Sequence, residues 1–269
     1  MSDKWSDLWK KKKNIVWSPE HILIGSFFEK HLRNKNKILE AGCGTGKMSL
    51  ILANRGCSTI LIDTSFEALI MARNYFKRCN LMEKAYFVRA DIKSPPFKDS
   101  SFDAVFNEGV IEHFDGNERQ FVISELANLL KIDGLLAVVV PNKLNIPYIL
   151  TKKYQEKKGI WSFGIEIPYT PKELYQRIEK EGLIILHFFG TPFLLSFQSF
   201  IIGIPLMEKF FTYIFRGSPE QTIAKYQSID DPIRAYEDMQ SSNIIKFFKQ
   251  FSMFFRRIGR CIGIVAIKS

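Results

Sequence analysis

The sequence predicts a doubly wound α/β fold, a seven-stranded and mostly parallel sheet with helices on both faces. Two observations carry that expectation. From residue 37 onward, apolar runs of strand length alternate with stretches whose apolar residues recur at helical spacing, the alternation that builds parallel sheets. Between the first such run and the first helical stretch lies a turn with three glycines in five positions, Gly42, Gly44 and Gly46. Glycines so dense let a backbone approach a ligand closely.

In chain order, "KILEA" (37–41) is the first strand and "KMSLILANRG" the helix after it. "STILID" (58–63) follows, then "SFEALIMARNYFKRCN", where Ser65 is placed to cap the helix. "AYFVRA" (85–90) and "FDAVFN" (102–107) are the third and fourth strands. "ERQFVISELANLLKIDG" reads as a helix stopped by Gly134, with "LLAVVVP" (135–141) as the fifth strand. A late helix (171–181), "LIILHFFG" (183–190) and the closing "IGIVAIK" (262–268) complete the sheet. Residues 1–36 then form an N-terminal helical cap, 37–190 the core and 259–269 the final core strand. Residues 191–258 read as a helical, Phe-rich insertion or cap, because connections that long rarely lack structure of their own.

Apolar content of 46% and charged content of 25% are ordinary for a globular chain. Cys43, Cys57, Cys79 and Cys261 lie far apart with no Cys-x-x-Cys pair. That points to a reducing compartment and away from a structural zinc, so no metal site is expected. "MSDKWSDLWKKKK" places charge where a secretory signal needs an apolar core, so a cytoplasmic location is expected. The net charge of +10 suggests an anionic partner: nucleic acid, an anionic membrane surface or an acidic substrate.

The glycine turn of "ILEAGCGTGKMS" points helix N-terminal amides at whatever it holds. A dinucleotide site expects Gly-x-Gly-x-x-Gly. Here the spacing is Gly42-x-Gly44-x-Gly46, Lys47 follows, and the strand before it carries an acid, Glu40. Asp63 closes the second strand about twenty residues on, where a carboxylate can accept from both ribose hydroxyls. Asp91, followed by Ile92, closes the third. A bare turn and two capping acids would explain each residue taken alone, but not acids at successive strand ends beside such a turn.

The whole set resembles the class I S-adenosylmethionine-dependent methyltransferases, in particular the branch with the ubiquinone and menaquinone biosynthesis methyltransferases. The resemblance rests on "ILEAGCGTGKMS", "LIDTSFEALIMAR", "VRADIKSPPFKDSSFDAVFNEGVIEHF" and "LLKIDGLLAVVVPN", in that order, over residues 37–142. Weaker matches, "PYTPKELYQRIEKEGL" and "IGIVAIK", extend it. It implies a Rossmann-like sheet with an antiparallel last strand, and S-adenosylmethionine as cofactor. By the same resemblance, Glu40 and the backbone of Gly42, Cys43, Gly44 and Gly46 hold the methionine moiety, and Asp63 the ribose. Asp91 accepts from the adenine amino group, with Ile92 against the ring, and Asn107 and Glu108 flank the methyl group. Thr64 stands where the family usually has a larger apolar residue against adenine, with Phe66 placed to compensate.

Methyl transfer from a sulfonium needs alignment and a dry pocket, and a base only where the acceptor must lose a proton. His113, in "NEGVIEHF", is the candidate base because it lies just past the fourth strand with a suitable ordinary pKa; its alternative role is to shape the loop. His187 and Tyr169 read as packing residues. Enzymes that methylate amino groups of nucleic-acid bases often carry an Asn/Asp-Pro-Pro-aromatic tetrad where this chain has "NEGV".

"FLLSFQSFIIGIPLMEKFFTYIF" (193–215) is apolar but interrupted by Gly203, Pro205, Glu208 and Lys209. Its uncharged part falls short of the ~20 residues a membrane-spanning helix needs. "NIIKFFKQFSMFFRRIGR" (243–260) puts Ile244, Phe247, Phe248, Phe251, Phe254, Phe255 and Ile258 on one helical face, with Lys246, Lys249, Arg256, Arg257 and Arg260 supplying charge. It reads as a membrane-interface helix or as a cap with a solvated basic face. "KWSDLWKKKKNIVW" reads as a helix closing over the cofactor, with an RNA-contacting arm as the alternative. The expected activity is O- or C-methyl transfer to a hydrophobic small-molecule or lipid-like acceptor, with peripheral membrane contact through 193–260 and no nucleic-acid partner. An RNA or protein methyltransferase and a non-catalytic binding subunit are the rival readings.

Overall fold

The computed structural model describes residues 4–11, 17–193, 231–243, 245, 246, 249 and 257–269. Its elements are α1 (Lys4–Lys11), α2 (Pro19–Leu32), β1 (Lys37–Ala41), α3 (Lys47–Asn54), β2 (Ser58–Asp63), α4 (Phe66–Arg78) and β3 (Ala85–Arg89). Then come β4 (Phe102–Glu108), α5 (Gly116–Asn128), β5 (Leu130–Pro141), α6 (Ile146–Lys157), α7 (Pro171–Glu179), β6 (Leu183–Gly190), α8 (Pro232–Ser241) and β7 (Cys261–Lys268). One sheet runs β3-β2-β1-β4-β5-β7-β6. Its pairs are parallel except those of β7, which runs antiparallel to both β5 and β6.

The central strands are apolar almost throughout because alternate side chains serve two cores. Ile38, Ala104, Phe106 and Ala137 pack with α2 and α3 on one face. Leu39, Val105, Leu136 and Val138 pack with α5 and α7 on the other. A capping box between Ser18 and His21, with Pro19 in the first turn, starts α2 and aims it across the sheet. There the Phe28 ring lies 4.8 Å from that of Phe106, and truncating so buried a ring to alanine costs about 3–5 kcal/mol. Ser65 caps α4 by accepting from the Ala68 amide.

The helix expected to run to Gly134 ends at Asn128, and Leu130–Asp133 already belong to β5. Phe102 pairs with Leu130 but Ala104 with Leu135, and this bulge absorbs the extra residues with Asp133 at φ 60. Ladder bonds to β4 thus override a helical pattern in the sequence. His187 is another correction. It is exposed on the edge strand β6, its ring 4.2 Å from that of His31.

Within 191–258, α8 packs Ala235, Tyr236 and Met239 into the α2 side of the core, and the Tyr236 hydroxyl donates to Glu29. The Phe-rich stretch 194–215 and Ile244, Phe247, Phe248, Phe251, Phe254, Phe255 and Arg256 lie outside the described residues. Arg260 is not on a solvated basic helix face: it sits in the turn before β7 and pairs with Glu20 at 3.1 Å. Among the described residues, no helix is long and apolar enough to cross a membrane.

Candidate active site

The strand order reverses between β1 and β4, and at the carboxyl ends of these strands opens a cavity of about 1110 Å³, the place where doubly wound sheets bind ligands. The glycine turn forms part of its wall. Gly42, Gly44 and Gly46 have φ of 75, 52 and 66°, in the left-handed region that favours glycine. A Cβ on Gly42 would lie 2.7 Å from Val110, and one on Gly44 2.7 Å from the Trp9 ring of α1. Only bare backbone lets these neighbours close on the turn.

Two acids hold the turn in place. Asp63 at the end of β2 accepts from the Gly44 amide at 2.8 Å and from the Ser65 amide at 2.9 Å. Glu40 accepts from the Ser49 amide at 3.2 Å, tying β1 to α3. Glu40, Gly42, Cys43, Gly44, Asp63, Thr64, Asp91, Ile92, Glu108 and His113 all line the cavity. Gly46 does not: a Cβ there would lie 2.6 Å from Leu61 and 2.9 Å from Ala72. Asn107 is fully buried outside the lining, and neither of its side-chain polar atoms has a protein partner. Phe66 is exposed and away from the cavity. Tyr169 is a packing residue, lying under the Arg119 guanidinium with its hydroxyl donating to the Ile111 carbonyl.

Residues 39–138 match the family model described as a methyltransferase domain. A Mycobacterium tuberculosis protein named a probable S-adenosylmethionine-dependent methyltransferase is 33% identical over 107 residues, 40% of this chain and 36% of that one. Residues 39–138 form a methyltransferase domain. The ubiquinone biosynthesis O-methyltransferase of Pelagibacter ubique is 31% identical over 45% of this chain and 48% of its own. The chain spans about a third to a half of the length of most curated relatives it matches. In fold, the domain is similar to a geranyl diphosphate methyltransferase solved with S-adenosylmethionine, at TM-score 0.56 and 13% identity over 92% of this chain and 85% of that one.

The methyltransferase domain suits a cofactor that carries both a sulfonium and an ammonium charge. Burial raises the Glu40 carboxyl to about 8, against the Ser49 hydrogen bond and with the Glu108 charge adding to the rise. Burial also raises Glu108, opposed by Lys47. Two neighbouring acids that ionise reluctantly are a site whose electrostatics improve when a cation enters.

Sequence reasoning missed a second group of residues in the domain's cavity wall. Glu20 from α2, Tyr148 and Lys152 from α6, Trp161 and Glu166 from the following loop, and Arg260 meet there. The Tyr148 hydroxyl donates to Glu166, and the Lys152 ammonium lies 5.0 Å from the Trp161 ring centre. These groups come from separate segments without a local motif.

Only Glu112 had a signal, beside His113 in "EHF". Burial holds its carboxyl well above the usual range, and its Oε2 has no protein partner. His113 Nδ1 lies 2.6 Å from the Ile165 carbonyl. A carbonyl only accepts, so Nδ1 carries the proton and Nε2 is the basic nitrogen of the neutral ring. Among the described residues no cluster of His, Cys, Asp or Glu is placed to hold a metal.

Proposed function

We propose that the protein transfers the methyl group of S-adenosylmethionine to an oxygen or carbon of a hydrophobic, lipid-like small molecule. The observation that carries this reading is a single cavity lined both by the acid-flanked glycine turn and by Trp5, Trp9, Trp161 and Phe163. The name of the Pelagibacter relative, an O-methyltransferase of ubiquinone biosynthesis, supports an oxygen acceptor.

Bound S-adenosylmethionine supplies an electrophilic methyl group. Glu40 and the backbone of residues 42–44 would hold its methionine end, Asp63 the ribose, Asp91 with Ile92 the adenine, and Glu108 would flank the methyl, whereas Asn107 lies outside the cavity lining. α1 and the aromatic walls exclude water, which strips the acceptor of solvation and favours alignment. His113 Nε2 takes the proton of an acceptor hydroxyl.

The test is incubation of the full chain with methyl-labelled S-adenosylmethionine and a lipid extract. Label entering the organic phase supports the reading, and label only in RNA or protein overturns it. His113→Gln should cut oxygen methylation about 10²-fold or more while leaving cofactor affinity unchanged.

A further inference from the structure

α6 presents two unlike faces. Tyr148, Thr151, Lys152 and Gln155 line the cavity. On the outward side Ile146, Leu150 and Tyr154, spaced four residues apart, are 61%, 51% and 60% exposed. Spacing of this kind stacks the three into one apolar stripe along the helix. Beyond the helix Ile160, Phe163 and Ile165 are also exposed, and Phe163 belongs to the cavity lining as well. The apolar patch therefore runs from the helix to the rim of the site.

Charge surrounds it asymmetrically. Lys143, Lys153, Lys157 and Lys158 are exposed on this segment. Its only exposed acid is Glu156, which is bonded to Lys152. An exposed apolar stripe flanked by lysines, in a chain of net charge +10, matches a negatively charged lipid surface.

We propose that this face of α6 docks the protein on an anionic phospholipid bilayer, with the cavity rim against the lipid. Ile146, Leu150 and Tyr154 enter the interface while the lysines neutralise headgroups. An apolar acceptor then passes from the bilayer into the site without crossing water. That last consequence rests on the proposed acceptor class; the docking itself does not. The contact lies outside 193–260, the stretch to which the sequence alone assigns it.

The test is co-sedimentation of the full chain with vesicles of mixed phosphatidylglycerol and phosphatidylcholine, and with vesicles of phosphatidylcholine alone. Leu150→Ser/Tyr154→Ser and Lys153→Glu/Lys157→Glu are compared with the natural chain, with Tm and S-adenosylmethionine affinity measured in parallel. The natural chain should pellet with the anionic vesicles and be released by salt. Each double variant should bind roughly tenfold more weakly with Tm and cofactor affinity unchanged.

The proposal is overturned if the folded natural chain does not pellet, or if the variants pellet equally well. It is also overturned if Leu150→Ser/Tyr154→Ser lowers Tm, because the stripe is then packed against protein, within the chain or in a second copy. For the natural chain, cofactor binding without vesicle binding refutes the docking alone, and vesicle binding without cofactor binding refutes the methyltransferase reading alone.

Discussion

The Gly44 amide donates to Asp63 Oδ2 across 2.8 Å, so the turn after β1 is latched to the end of β2. The other carboxylate oxygen accepts from Ser65, whose side chain caps α4. Asp63 therefore organises the turn in addition to any ligand contact. In Asp63→Asn an amide donor faces one of two backbone donors. We expect a loss of about 1–3 kcal/mol in stability and a fall of ~tenfold or more in cofactor affinity. Calorimetric unfolding and titration measure both, and an unchanged Tm would mean that the latch adds nothing to the fold.

The Glu40 carboxyl sits near 8 in the folded chain against an ordinary value of 4.5. Between these values the folded state keeps a proton that the unfolded chain has released. Its contribution to stability is complete below pH 4.5 and is lost as pH rises toward 8. Urea unfolding should show a steeper decline over this window in the natural chain than in Glu40→Gln. A cation bound beside Glu40 favours its ionised form, so cofactor titration near neutral pH should release protons, seen as buffer-dependent heats. Buffer-independent heats would remove Glu40 from the cation's surroundings.

His31 moves stability in the opposite direction. Burial, then the neighbouring charge of His187, lowers it from 6.5 to about 4. The unfolded chain takes up a proton in that interval and the folded chain does not, so stability is complete above pH 6.5 and falls as pH drops toward 4. His31→Leu should flatten the acid limb of the stability profile without touching the alkaline limb set by Glu40. An unaltered acid limb in the variant would assign the loss to other groups.

Gly44→Ala tests the closeness of α1 to the glycine turn. A side chain at φ 52 costs about 1–2 kcal/mol in a left-handed conformation, and its Cβ would lie 2.7 Å from Trp9. Tryptophan emission should shift to the red as α1 is displaced, and Trp9→Ala on the same background should recover part of the lost stability. No recovery would leave backbone strain as the whole effect.

Much of the scaffold was legible because a strand buried on both faces is a short, unbroken apolar run. β1, β2 and β6 occupy the residues that their sequences mark. The same holds for the glycine turn and the acids at the strand ends, whose spacing is local. The end of α5 was not legible, since Leu130–Asp133 carry a helical pattern but pair with β4 through a bulge. A ladder bond depends on a partner strand that no window of sequence contains.

The sequence by itself determined the sheet, the glycine turn and the acids beside it, through patterns spanning a few residues each. Only the tertiary structure decided the part of the cavity wall where Glu20, Tyr148, Glu166 and Arg260 converge from four segments. It also turned Arg260 from one charge among many into the partner of Glu20, and left the α6 stripe uncovered beside the rim. Local pattern reports what a segment becomes. Which segments meet, and which faces remain exposed, is set by how the helices pack across the sheet.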